Sequence, residues 1–263
     1  MNKRLRPRAI KMWSQRQRSN ADQPQRDAFR MEKRPTGIVG GLKAAPVQSI
    51  IFDFDYTLAD SSKGASDCVT YALRRMGLEA PPDEMIYRTI GLSLGDTYAA
   101  LTDDGDPARA ARFKELFVER AESTMAELTF LFDYVPAAIR ALRQDGFALG
   151  IVSTKYRRRI QTILRREGLL ELFDTIVGGE DVARHKPDPE GVLKAMETLN
   201  VAPDQSIYVG DSTVDAAVAD RAGIRFVAVL SGTTGREAFK PFPVVETIDS
   251  ILGLPGVLRG LRS

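Results

Sequence analysis

The chain is poor in the residues that most often carry redox, zinc or imidazole chemistry. One cysteine, Cys68, stands in 263 residues. No internal disulfide and no cysteine-based zinc site can form. One histidine, His185, excludes any catalyst or metal cage that needs two imidazoles. No apolar run approaches the ~20 residues that a membrane helix requires, so no membrane partner is expected. The single tryptophan, Trp13, lies in an N-terminal stretch without apolar periodicity and is given no role.

What is present is an ordinary core-forming composition, 43% hydrophobic and 27% charged, enough for one large or two modest domains. The net charge of +2 conceals an asymmetry. Residues 1–46 carry 12 Lys and Arg against 3 Asp and Glu, while the rest carries 25 against 32. The basic segment 1–46 reads as a disordered tail, Arg- and Gln-rich and without a secretory hydrophobic region. A solvated tail, a start at Met31, a transit peptide and an anion-binding arm all fit it. The mildly acidic body gives no reason to expect nucleic acid. A cytoplasmic location is expected, or an organelle matrix if the tail is a transit peptide.

From residue 47 strand and helix signals alternate. Short apolar runs at 47–52, 147–153, 174–179, 206–210 and 224–230 read as buried strands. Helical patterns at 136–145, 156–167, 189–199 and 214–222 separate them, three closed by Gly146, Gly168 and Gly223. This rhythm predicts an α/β fold with a doubly wound, Rossmann-like parallel sheet. A helical block interrupts it after the first strand. The expected division is a tail at 1–46, a core of 47–61 and 132–263, and a helical cap of 62–131.

Ligands of open α/β sheets bind beyond the carboxyl ends of the strands. There the sequence places Asp53-Phe54-Asp55-Tyr56-Thr57, Ser153-Thr154 and Gly210-Asp211-Ser212-Thr213-Val214-Asp215, with Lys186 before a Pro-Asp-Pro helix start. Four carboxylates on one face repel one another unless a cation intervenes. Mg²⁺ takes oxygen ligands and bridges to phosphate, and Lys186 with a hydroxyl suits the remaining phosphate oxygens. Asp53 and Asp55, two apart in extended chain, point the same way, so one can attack while the other handles a proton.

DFDYT, Ser153-Thr154, Lys186 and GDSTVD, in this order, resemble the haloacid dehalogenase superfamily of phosphotransferases over residues 47–250 or so. The resemblance implies an aspartyl-phosphate on Asp53 and an acid–base role for Asp55. It implies phosphoryl binding by Ser153, assisted by Thr154, and stabilisation by Lys186. It also implies Mg²⁺ held by Asp53, the Asp55 carbonyl, Asp211 and Asp215. Tyr56 departs from the pattern, since relatives commonly have Gly there. The inserted helices resemble the cap of the phosphoglycolate-phosphatase-like branch, whose substrate-facing tip would fall at Arg88–Asp96, with Arg88 and Gly91 as contacts. The expected activity is hydrolysis of a small phosphorylated metabolite by a monomer or homodimer. Pyrophosphatase and nucleotide- or sugar-phosphate phosphatase are the alternatives. A phosphomutase is disfavoured because its cap histidine would fall near Ala65, and Asp55 argues against a dehalogenase.

Bland readings stand beside these. Asp215 lies in a first helical turn, where an acid complements the dipole. Thr154 suits a helix N-cap, Arg88 a solvated helix charge, and His185 a loop position. Lys155, Arg157, Arg158 and Arg159 read as a solvated basic face with one member steering anions.

Overall fold

The computed structural model describes residues 46–261. The tail and its competing readings, Met31 and Trp13 included, lie outside the described residues. Five of the strands follow the apolar runs closely: β1 Ser49–Phe52, then, after the insert, β4 Ala148–Val152, β5 Thr175–Val177, β6 Ser206–Gly210 and β7 Arg225–Val229. Two short strands, β2 Ala59–Asp60 and β3 Phe130–Leu131, pair antiparallel with each other. The last strand is β8, Val244–Ile248. The main sheet runs β5-β4-β1-β6-β7-β8, with every pairing parallel. β1 therefore lies inside the sheet, its Ser49 aligned with Ser206 of β6, and the two hydroxyls bond at 2.8 Å.

Side chains alternate across this sheet, so each strand feeds two cores. Ile50, Phe52, Leu149, Ile151, Ile207 and Val209 pack on one face; Ile51, Val152, Tyr208, Phe226 and Ala228 pack on the other. The helices come between strands, as parallel crossovers require. Among those of the main fold, Val135–Gln144, Arg157–Arg166 and Leu254–Gly260 cover the first face, and Glu190–Leu199 and Thr213–Ala222 the second. No described helix is long and apolar enough to cross a membrane.

Between β2 and β3 the chain builds its own small core. Four helices, α1 Ser62–Arg75, α2 Asp83–Tyr87, α3 Leu94–Thr102 and α4 Pro107–Thr124, bury Cys68, Val69, Leu73, Ile86, Tyr98, Phe113, Leu116 and Phe117 together. Asp106 caps α4 by accepting from the Ala108 amide at 2.8 Å, with Pro107 at the first helical position. Arg120 on α4 grips Asp67 on α1 through both its Nε and Nη2, at 2.7 and 3.0 Å. That fork holds the Asp67 carboxyl below its usual range, chiefly through the hydrogen bond from Arg120.

Two elements differ from the sequence reading. The stretch expected as a loop up to Asp96 contains the start of α3: Ser93 caps it, accepting from the Asp96 amide at 3.2 Å. Gly95 in the first turn weakens the helical pattern there. β8 follows Pro241 and Pro243 and exposes Val245 and Glu246, as an edge strand can, so no apolar run betrays it.

The turn after β1 sets the backbone beneath the site. Tyr56 occupies the left-handed region at φ 60°. That conformation is natural for glycine and costs other residues ~1–2 kcal/mol. The position is held on both sides: the Tyr56 amide donates to the Ala59 carbonyl at 2.7 Å, and its own carbonyl accepts from Ser231 Oγ at 2.6 Å. Alanine and glycine at this position both remove the ring, but only alanine keeps a Cβ in the strained region. Y56G is therefore expected to unfold with a stability about 1 kcal/mol above that of Y56A, read from urea transitions. Equal stabilities would show that the turn carries no strain.

Candidate active site

β4, β1 and β6 are parallel neighbours, so their carboxyl ends lie side by side at the centre of one sheet edge, and the polar residues at those ends converge there. Asp53 follows β1 directly and is almost fully buried. Asp211 follows β6, and Asp215 is carried on the first turn of the Thr213–Ala222 helix. Carboxylate oxygens of these three lie within 4.8 Å of one another.

Lys186 is the cation among them. Its Nζ donates to Asp53 Oδ1 and to Asp215 Oδ1, each at 2.7 Å, and to the Tyr208 hydroxyl at 3.3 Å. Its side chain is only 6% exposed. The Pro-Asp-Pro turn positions it: Asp188 accepts from the Glu190 amide at 3.0 Å and so starts the helix that follows. Asp215 is fixed at its other oxygen by the Ser212 amide, at 3.1 Å, and by the Ser212 hydroxyl, while its own amide donates to Ser212 Oγ at 3.2 Å. This reciprocal capping box orients the carboxylate. Asp215 is thus more than a complement to the helix dipole.

Burial dominates the electrostatics. It raises the Asp53 carboxyl to about 7; Lys186 opposes the rise, and the nearby Asp215 adds to it. Burial, then Asp215 and Asp53, push Asp211 well above its usual value. Burial also pulls on the Lys186 ammonium, but Asp215 and Asp53 outweigh it and hold the group well above its ordinary value. Lys186 therefore stays charged, and the cost of confinement falls on the carboxylates.

Asp55 takes a different place from Asp53. Its carboxylate is not one of the three clustered groups, and lines a cavity between the inserted helices and the sheet. Oδ1 lies 3.0 Å from Lys155 Nζ, at angles that leave it without a hydrogen-bond donor. Four carboxylates and two ammonium groups leave a formal excess of two negative charges. A divalent cation with oxygen preference fits this donor set, with Asp53, Asp211 and Asp215 as ligands. The backbone is shaped for it: a Cβ on Gly232 would stand 1.9 Å from Asp211 Oδ2, so only glycine lets that loop pass.

Ser153 follows β4 and is buried, its Oγ 3.3 Å from the Lys155 amide. Thr154 does not cap the following helix, whose N-cap is Tyr156. Its hydroxyl instead donates to the Gly91 carbonyl at 3.4 Å, joining the inserted helices to the sheet. Gly91, at φ 95°, lines the cavity beside Thr89 and Ile90. Arg88 does not: it is exposed and outside the cavity wall, because the turn directs its neighbours inward. His185 lines the cavity with its Nδ1 buried and unpartnered.

Three participants escaped the sequence reading. Tyr208 places its hydroxyl 3.2 Å from Asp215 Oδ1 and 3.1 Å from the Val152 carbonyl. In a run of strand residues it reads simply as core. Lys155 and Arg159 belong to a basic run taken as a solvated face, yet both are buried. Arg159 bonds Glu122 at 2.7 Å and lies over the Tyr156 ring. Only the apolar helical spacing of Ile160, Ile163 and Leu164 hinted that part of this helix turns inward.

Comparison with known proteins agrees with this geometry. Residues 50–229 match the haloacid dehalogenase-like hydrolase family. A phosphoglycolate phosphatase of Cereibacter sphaeroides is 35% identical over 70% of this chain and 85% of its own length. The phosphoglycolate phosphatase of Escherichia coli K12 is 29% identical over 81% of this chain and 95% of its own. A pyrophosphatase of Bacillus mycoides is 27% identical over 81% and 99%. Among solved structures, a haloacid dehalogenase-like hydrolase of Bacteroides fragilis superposes with a TM-score of 0.77 at 41% identity, covering 79% of this chain and 99% of its own.

Removing the cation tests the electrostatic account. K186M leaves two carboxyls buried without their partner and is expected to lose about 3–5 kcal/mol at pH 7. Without Nζ the folded-state pKa of Asp53 rises further above its unfolded value. The folded variant then holds more protons than its unfolded chain, and stability falls as pH rises. The deficit against wild type should therefore be smaller at pH 5 than at pH 7 in urea titrations. A deficit that grows on acidification would contradict it.

Proposed function

The chain belongs to the haloacid dehalogenase-like hydrolase family, and from that premise we propose that it is a Mg²⁺-dependent phosphatase acting on a small phosphorylated metabolite through an aspartyl-phosphate on Asp53. The observation that carries this is the two-sided hold of Lys186 on Asp53 and Asp215 at 2.7 Å, with Asp55 apart at the cavity floor. One carboxylate is immobilised for attack, and a second is free to exchange a proton with a bound leaving group.

Lys186 engages Asp53 Oδ1 and leaves Oδ2 to reach phosphorus. As the Asp53–phosphorus bond forms, the bond to the leaving oxygen breaks, and Asp55 delivers a proton to that oxygen. Asp55 then takes a proton from water, which attacks phosphorus and releases Asp53. The Ser153 hydroxyl and the Lys186 ammonium stabilise charge on the phosphoryl oxygens. Asp53, Asp211 and Asp215 would hold Mg²⁺, which would supply charge neutralisation between carboxylate and phosphate. The inserted helices act as a cap that shields the phosphoryl group from bulk water.

Phosphate release from phosphoglycolate, pyrophosphate, sugar phosphates and nucleotide monophosphates, with Mg²⁺ or with EDTA, tests the reading. Activity should vanish in EDTA and return with Mg²⁺. D53N should fall by at least ~10³-fold; full activity in D53N would sink the mechanism. D55N should turn over ~10²–10⁴-fold more slowly with an alkyl leaving group. With a reactive aryl phosphate it should accumulate protein heavier by about 80 Da in acid-quenched mass spectra.

A further inference from the structure

The cavity above Asp55 is much larger than the smallest substrates of this chemistry. Its volume is about 620 Å³. At ~30 Å³ per water-sized group it holds about twenty such groups, whereas phosphoglycolate has about nine non-hydrogen atoms. Part of its wall is apolar. Val69, Ile90, Leu92, Phe117 and Met125 line it from the cap side. This apolar stretch offers nothing to a two-carbon carboxylate or to a second phosphate, and water lying against it gains few hydrogen bonds.

Polar groups line the cavity as well, among them Thr89, Thr97, Arg159 and Glu180, and two further sets bear on the ends of a ligand. Asp55, Thr154 and Lys155 belong to the phosphoryl end. Lys114, on α4, is exposed yet lines the same cavity, so it stands at the mouth. It has no ion-pair partner among the described residues, unlike the paired Arg109, Arg112 and Arg120 of that helix. His185 faces the cavity from the core side, its buried Nδ1 equally unpartnered. Apolar walls between a phosphoryl pocket and an unpaired cation describe the complement of an elongated amphipathic ligand.

Building on the phosphatase reading above, we infer that the substrate is a phosphomonoester whose leaving group has an apolar body of several carbons and ends in an anionic group met by Lys114. The phosphoryl group sits at Asp53 and Asp55, the hydrocarbon lies against Val69, Phe117 and Met125, and the terminal anion reaches the cavity mouth. The apolar contacts provide rate through binding of the part that does not react.

Primary alkyl phosphates test this on the full chain with Mg²⁺, because their leaving oxygens are equally basic. kcat/KM should rise about fourfold per methylene from ethyl to hexyl phosphate, the value for burying one CH₂ group. A terminal carboxylate on the hexyl chain should add about two- to fivefold. K114E should reverse that preference, favouring a terminal ammonium over a terminal carboxylate. Rates that are flat or fall with chain length, with phosphoglycolate foremost, would overturn the inference, as would an unchanged carboxylate preference in K114E. The same series as phosphonates, titrated by calorimetry, reads the cavity without turnover. Affinity that rises with chain length in a protein that hydrolyses nothing would uphold the cavity reading and remove the phosphatase one. Flat phosphonate affinities in an active enzyme would remove the cavity reading alone.

Discussion

The arrangement turns on one buried ammonium. Lys186 is the shared partner of Asp53 and Asp215, and its placement needs three separate parts of the chain. β1 brings Asp53, the Pro-Asp-Pro turn brings the lysine, and the capped helix after β6 brings Asp215. A charge taken out of water costs several kcal/mol unless it is paired and hydrogen-bonded. Here the pairing is over-determined: Tyr208 adds a third contact, and Ser212 secures the far side of Asp215. The β6-to-helix turn must therefore be tight, and a Cβ on Gly210 would lie 2.6 Å from the Asp215 carboxylate carbon. The site cannot relax one member without exposing another.

This constraint also separates the two aspartates of the first motif. Lys186 engages Asp53, while the left-handed turn at Tyr56 carries the chain toward the inserted helices and leaves Asp55 beside Lys155. Two carboxylates in one strand end thereby gain different surroundings: one is immobilised within the acidic cluster, the other faces a cavity with an oxygen that nothing donates to. These surroundings support the proposal that one attacks and the other transfers a proton. The strain at Tyr56 is tolerated because Ala59 and Ser231 pin the turn through its backbone, so the side chain there is free of that duty.

The parallel sheet was legible in the sequence because its strands are buried on both faces and read as apolar runs, while the helices between them carry glycine stops. The edge strand at Val244–Ile248 was not, since an exposed edge needs no such run. Asp53, Asp211 and Ser153 stand directly after strands, where ligands of open α/β sheets bind, with Lys186 and Asp215 beside them in sequence signals for helix starts; that is why they drew notice. Tyr208 and Lys155 sit where strand and helix patterns supply an ordinary explanation, and only the third dimension shows what they touch. Arg88 stands outside the cavity wall for a reason local to its turn: charge on a loop invites a ligand contact, but the turn brings Thr89, Ile90 and Gly91 to the wall instead.

Chemistry and selectivity reside in different parts of this fold. The strand ends hold groups that act on any phosphoryl group, and their geometry is fixed by the sheet. The cap contributes no member of the acidic cluster, yet it supplies most of the cavity's apolar wall. Its own core, centred on Tyr98, Phe113 and Phe117, packs separately from the two cores of the sheet. Substitutions on its inner surface can thus reshape the cavity without disturbing Lys186 and its carboxylates. Bonds such as those from Thr154 to the Gly91 carbonyl and from Arg159 to Glu122 tie cap to core. A leaving group lying beneath the cap, as proposed, would help to hold it down. Recognition of the non-reacting part and exclusion of water from the reacting part then become one event.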